Sequence, residues 1–431
     1  MAAAPTKAPA ATSAPAAAPT NAPAPSSAPA AATSAPAGAT KVIKFGINGP
    51  FTGPSARVGE EFKDSVTMAF DAVNWTIGDT KFEPVWMDDA SDAETGSRAF
   101  ERSITQNGIQ FGLLNWHSFV AVAMMEVAAK YKVPVFFASG ATSVVNDKIK
   151  SDPAKYGYWM AKVWPTPIKL TSAYVSTVND AITKGTWKPA AKKVALYGND
   201  TDWCREFAQG MKQQLTASGW QVVAEEYVPV GETDYYPLIN KLKASGATLL
   251  AGTMSDASGF TSFIKQVREN KLNAMIVADG LGWVGEWYSL TGDASNGVLD
   301  QIPQWTTPKA KQFVTDFNKR FGIDPSPSSA GLAYDSASFF IKLAQETYKT
   351  YGAINKDTLY KFGQEQLKTG KFTFKDGILM KEYQYTSESS PDPVVDQDHY
   401  IFPVIQYSAG KSQIVWPDSW KQADLQVPAS K

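Results

Sequence analysis

Residues 133–142 read VPVFFASGAT: an apolar run, buried on both faces, ends in Ser139, Gly140, Ala141 and Thr142. Such an ending offers close approach to backbone amides and one hydroxyl, a chemistry suited to a small carboxylate. The alternative, a tight turn in which Thr142 caps its own helix, is also open. Ser118, at the start of another helical segment in LLNWHSFVAVA (113–123), has the same two options. Further along, YGNDTDWCREF (197–207) places Trp203 after a strand, and VADGLGWVGEW (277–287) places Asp279 and Trp283 after another. Hydroxyls on one side with an acid and indoles on the other form a constellation able to hold a zwitterion. The carboxylate would lie on hydroxyls and amides, the ammonium on Asp279, and an apolar body against the rings.

Catalytic readings are weaker. GLGWVG (280–285) matches G-x-G-x-x-G and follows an apolar strand, with Asp300 twenty residues beyond Gly280, as a dinucleotide site requires. Against it, Glu286 would face the pyrophosphate, Trp283 crowds the approach, and the apolar pattern fades before TGDASNG (291–297). His117 and His399 are the only histidines, in no metal-ligand spacing, and there is no G-x-S-x-G. His117 beside Ser118 points elsewhere than its neighbour, so it reads as a polar ligand contact or a solvent-facing residue. Cys204, the single cysteine, reads as a buried thiol and excludes an internal disulfide. The acids of DPVVDQDHY (392–400) lack the spacing of a calcium loop and read as a solvated loop. No catalytic residue, metal or cofactor is expected.

Elements must position these groups. VIKFGING, FEPVWMDDA, IQFGLLN and VPVFFAS alternate with helical patterns such as Phe62, Val66, Ala69, Phe70 and Val73. The alternation restarts at KKVALYGND (192–200) and continues through WQVVAEEYVPV, ATLLAGTM and NAMIVADG. Strands apolar on both faces between amphipathic helices indicate parallel sheets covered on both sides. A third block carries helices over 308–321, 330–351 and 355–368, then the strands HYIFPVIQYS (399–408) and QIVWP (413–417). If the first lobe takes those helices and the second those strands, the chain crosses three times and builds a hinge. The expected fold class is α/β: two doubly wound parallel-sheet lobes joined by a three-stranded hinge. Lobe 1 comprises 41–165 plus 298–370, and lobe 2 comprises 166–297 plus 371–431.

The chain has 431 residues, 44% hydrophobic, with a net charge of −1, enough for two ordinary cores and without the basic surface that nucleic acid requires. Residues 1–40 are dominated by Ala, Pro, Ser and Thr, with Lys7 their only charge. They read as an extended spacer, a stalk whose secretion signal and membrane anchor have been removed.

FGINGPFTGPSARVGEEFKDSVTMAFDAVN, the Ser118 helix start, VPVFFASGAT, ALYGNDTDWC and AYDSASFF (333–340), in this order and spacing, resemble the branched-chain amino-acid receptors among the type I periplasmic binding proteins. The resemblance covers about residues 42–417. It implies an extracytoplasmic, monomeric receptor that closes on a small ligand and hands it to the permease of an ABC transporter. It further implies that Ser118, Gly140 and Thr142, with Ala141 between them, hold a carboxylate, that Trp203 stacks on the ligand where relatives carry tyrosine, and that Asp279 takes the ammonium. Departures bear on the ligand. TMSDAS (253–258) stands where a second tyrosine is frequent, Val58 replaces an aromatic, and Trp116 and Trp283 add indoles. An aromatic carboxylate or amide is the alternative ligand, with Arg57 as its anion partner, and a sensing module without a transporter is the alternative role.

Overall fold

The computed structural model describes residues 41–305, 307–380, 382–395, 399 and 402–428. The proposed spacer, 1–40, lies outside the described residues, as do Asp396 and Asp398.

Lobe 1 opens with β1 (Lys41–Gly49), α1 (Ala56–Asp71), β2 (Thr76–Ile77), β3 (Thr80–Asp88), α2 (Ala93–Arg102), β4 (Phe111–Leu113), α3 (Ser118–Tyr131) and β5 (Val135–Phe136). Its sheet has the order β2-β3-β1-β4-β5, parallel except for β2. Ile43, Phe45 and Ile47 of β1 are buried. Phe45 stacks on Phe111 at 5.0 Å, so aromatic faces fill the space between sheet and helices. Two helices follow, α4 (Ser143–Ser151) and α5 (Pro153–Tyr156). The chain then returns alongside β5, Trp159 bridging to Val135 and Lys162 to Ala138.

Lobe 2 contains α6 (Pro167–Thr183), β6 (Lys193–Asn199), α7 (Asp202–Ala217), β7 (Gln221–Val228), α8 (Tyr236–Ala244), β8 (Leu249–Thr253), α9 (Ala257–Glu269), β9 (Met275–Asp279), α10 (Trp287–Thr291) and β10 (Val298–Gln301). The chain returns to lobe 1 with α11 (Pro308–Phe321), α12 (Leu332–Tyr351) and α13 (Lys356–Phe362), where Phe340 of α12 stacks on Phe111 at 4.5 Å. It ends in lobe 2 with the hairpin β11 (Val404–Ser408) and β12 (Lys411–Trp416). The second sheet has the order β12-β11-β10-β9-β8-β6-β7, antiparallel only at the β10–β11 and β11–β12 pairs.

The α/β class with two parallel-dominated sheets is as the sequence indicates. Three local features differ. β10 pairs with β9 and β11, so the return crossing follows Gln301 and not Gly297. Residues 371–395, expected in lobe 2, pack on α12. Buried Asp335 accepts the amides of Ile378 (2.7 Å) and Leu379 (3.1 Å) and the Tyr383 hydroxyl (2.6 Å), while Phe374 stacks on Phe339 at 5.0 Å. A carboxylate buried on α12 needs donors, and this segment brings them. Asp392 still lies with lobe 1, beside Lys162, and Val404 already belongs to the lobe 2 sheet. Helix α6 had no counterpart in the sequence reading, and α4 is the helix that the capping reading of Thr142 implied. At the crossings Trp164 packs on Phe402 (4.8 Å) and Gln301 donates to the Phe402 carbonyl (3.1 Å).

Candidate functional site

The strand ends of the two sheets face one another across a small cavity of ≈ 30 Å³. From lobe 1 come Trp116, His117, Ser118, Ser139 and Ala141; Trp164 enters from the first crossing. Trp203, Ser255 and Trp283 close it from lobe 2. Sites for drug-sized ligands span several hundred Å³, so this cavity is far smaller than such a site.

Trp283 is the hub. Its ring meets Trp116 edge-on at 5.1 Å, Trp164 at 6.4 Å and Trp203 at 6.4 Å. The loop carrying it is fixed by buried Asp300, which accepts the amides of Gly280 (2.7 Å) and Gly282 (2.9 Å) and the Tyr407 hydroxyl (2.6 Å). Gly280 has φ +103°, and a Cβ there would lie 2.3 Å from the Trp283 ring, so glycine is required. These contacts dispose of the dinucleotide reading: the amides that would meet a pyrophosphate are held by Asp300, and only five residues of α10 follow. Trp203 starts α7 and donates to Thr253 at 3.1 Å. The indole N–H groups of Trp164 and Trp283 are buried and have no partner among the described residues.

The other wall is preorganised in an unexpected way. Asn115 accepts the Gly140 amide (3.1 Å), and Ser118 Oγ accepts the amides of Ala141 (3.1 Å) and Thr142 (3.2 Å). The amides expected to meet a ligand are thus satisfied within lobe 1. Gly140 is needed for packing, since a Cβ would lie 2.4 Å from that of Ala121 on α3. Thr142 caps α4 by accepting the Val144 amide (3.3 Å) and donates to Glu206 of α7. The Ser143 amide donates to the same carboxylate at 2.9 and 3.0 Å. The capping reading of Thr142 holds, and its hydroxyl is turned to the chain's own Glu206.

Ser118, Ala141, Trp116, Trp203 and Trp283 come together as cavity lining, with Gly140 and Thr142 behind them. Two expected residues stand elsewhere. Asp279 is buried behind the loop, where its Oδ1 accepts the Tyr174 hydroxyl of α6 at 2.8 Å. Its Oδ2 has no partner among the described residues, and burial, then the neighbouring Asp300 charge, push its carboxyl well above the ordinary range. Arg57 forms a two-pronged pair with Glu286 across the lobes (2.5 and 3.1 Å) and reaches Glu61 at 3.2 Å. It is a lobe-to-lobe contact, drawn to acids that the cavity itself lacks.

The sequence reading passed over Glu206, Trp164 and Ser255, and named Ser139 only as part of the strand end. Glu206 follows Trp203 by three positions, which puts both on one face of α7, a signal available in the sequence. His117 lines the cavity and is not solvent-facing: burial pushes its ring down to about 3, and it pairs with Ser91 at 3.0 Å. Cys204 is buried, which pushes its thiol up to about 11. Asp392, from the acidic loop, pairs with Lys162 (2.8 Å) and Lys169 (3.2 Å), and no metal-binding cluster occurs among the described residues.

Two α/β lobes, three crossings and a small aromatic cavity between the strand ends define a solute-binding receptor of clamshell type. The chain belongs to the periplasmic binding protein family, whose model matches residues 42–402. A relative from Brucella melitensis, Leu/Ile/Val-binding protein homolog 6, is 24% identical over 323 residues, covering 73% of this chain and 78% of the relative. Among solved structures, the leucine-binding protein LivK of Thermotoga maritima aligns with a TM-score of 0.69 at 16% identity, over 86% of this chain and 97% of that one. A solute-binding protein of an ABC transporter from Rhodopseudomonas palustris, solved with 3,4-dihydroxybenzoic acid, aligns with a TM-score of 0.69 at 19% identity, over 86% and 95%. Members of this family act outside the cytoplasm, and no described helix is long and apolar enough to cross a membrane.

Proposed function

We propose that this protein is a non-catalytic, extracytoplasmic receptor that captures a small aromatic carboxylate or aromatic amide and delivers it to an ABC-type importer. One observation carries the choice of ligand: among the described residues no acidic side chain lines the cavity, while four indoles do. An α-amino acid closed into such a site would leave its ammonium without a countercharge, which is costly in a desolvated place. A flat ring packs against indoles, and a carboxylate or amide oxygen finds the Ser118 hydroxyl and the unpartnered indole N–H groups of Trp164 and Trp283. A relative named for Leu/Ile/Val binding and a fold neighbour holding a dihydroxybenzoic acid represent the two ligand classes, and the lining favours the second. In this reading the receptor works as a monomer at the cell surface.

The test is calorimetric titration of the full chain with benzoate, benzamide, L-leucine and L-isoleucine. Binding of at least one aromatic probe at least tenfold tighter than either amino acid is expected. The reverse order overturns the ligand assignment.

A further inference from the structure

Ser143 begins α4 in lobe 1, and Glu206 lies one turn into α7 in lobe 2. Between them a carboxylate is fully engaged: both oxygens accept the Ser143 amide, at 2.9 and 3.0 Å, and Thr142 donates its hydroxyl to one of them. The cradle adjoins the cavity, because Ala141 and Ser118 line that cavity and Ser118 holds the Thr142 amide at 3.2 Å. Buried Lys162 braces it from behind, donating to the Ala141 carbonyl (3.2 Å) and to Asn146 of α4 (2.6 Å).

We propose that Glu206 is a specificity-determining residue: by filling this cradle when the lobes close, it denies the position to a ligand carboxylate and excludes ligands that need it. Two independent observations converge. The donors of the cradle are consumed by a carboxylate from the opposite lobe, so a second carboxylate there would meet like charge and no free N–H. On the far side of the cavity, Trp164 and Trp283 are each more than nine-tenths buried, and their N–H groups lack an acceptor among the described residues. A ligand acceptor therefore belongs at the indoles and not at α4. The inference rests on the receptor reading above and adds the residue that selects the ligand class. It also makes Glu206 a contact formed on closure, since its two partners and its own helix belong to different lobes.

The test uses the full chain with E206A, and with E206S, whose side chain is too short to reach Ser143, should E206A not fold. Acetate and formate are the probes for the vacated cradle. The variant is expected to be more open by small-angle scattering, and millimolar acetate or formate is expected to return it toward the parent profile while leaving the parent unchanged. Calorimetry is expected to raise the ratio of L-leucine to benzoate affinity at least tenfold over the parent. E206Q, which keeps an acceptor for Thr142 and Ser143, is expected to stay closed and to ignore acetate. A variant insensitive to acetate and formate, or a parent that responds equally, overturns the proposal. A parent that prefers leucine overturns only the aromatic ligand, because the anion response of the variant is read without either ligand.

Discussion

Asp279 is the residue on which the sequence and the structure disagree most, and its replacement by Asn separates the two. Its carboxyl accepts one hydrogen bond, from Tyr174, and shares a buried region with Asp300, which accepts four. Burial raises both carboxyls, and of the two Asp300, with four hydrogen-bond donors, is the better placed to carry a charge. Asp279 is accordingly held protonated by burial, reinforced by Asp300. Asn is close to isosteric with that neutral form, so D279N should bind benzoate and L-leucine within threefold of the parent. Stability gives the sharper sign. Above the ordinary aspartate range and below its raised folded value, the native state holds one proton more than the unfolded chain at this position. The parent therefore loses about 1.4 kcal/mol of stability per pH unit through this group as pH rises. D279N lacks the term. The stability of D279N minus that of the parent, from urea unfolding followed by circular dichroism, should grow as pH rises above the ordinary aspartate range, by up to about 1.4 kcal/mol per pH unit. Buried acids not coupled to Asp279, such as Asp335, raised by burial to about 6, titrate in both proteins and cancel in the difference. A flat difference would mean that Asp279 is ionised. A tenfold loss of leucine affinity would restore it to the ligand site.

Three further outcomes follow from the geometry. W283A removes the ring against which the other three cavity indoles pack, and should lower affinity for the best-bound aromatic probe at least thirtyfold, about 2 kcal/mol by calorimetry. An affinity within threefold of the parent would place the ligand elsewhere. R57A breaks the part-exposed pair with Glu286 and removes the cation beside buried Glu61, so it should lower stability, with only the Glu286 share diminishing in high salt, and widen the scattering profile. A profile identical to the parent would remove Arg57 from lobe closure. Cys204 should stay unmodified by a disulfide reagent at pH 8 in the native protein and react fully in urea, because burial keeps the thiol protonated. Rapid native labelling would contradict that burial.

The alternation of strands and helices was legible because each element carries its own period. The unread α6 was legible too: Leu170, Tyr174, Val178 and Ala181 recur at helical spacing and are buried. The segment 371–395 was not legible, since nothing local in KFTFKDGILM announces that its amides serve an aspartate on α12. Contacts between distant elements set lobe membership there, and periodicity does not report them.

The site divides along the same line. Small residues, a helix start and indoles at strand ends located the cleft because strand ends converge in any doubly wound pair of sheets. What the sequence concealed was the partner of each charge. Thr142 was read as a donor awaiting an anion, and the anion is Glu206; Arg57 was read as an anion partner, and its anion is Glu286. Asp279 was read as a free carboxylate, and Tyr174 and Asp300 have claimed its surroundings. Thr142 and Arg57 found their complements inside the protein, and Asp279 is turned away from the cavity toward Tyr174. A closed cleft excludes water, so a group left waiting for a ligand would be penalised whenever the lobes met. Groups that stay unpaired there are the weak donors for which the penalty is smallest, the indole N–H groups. By this argument the ligand is to be read from the neutral donors that remain and not from the charges that first stand out.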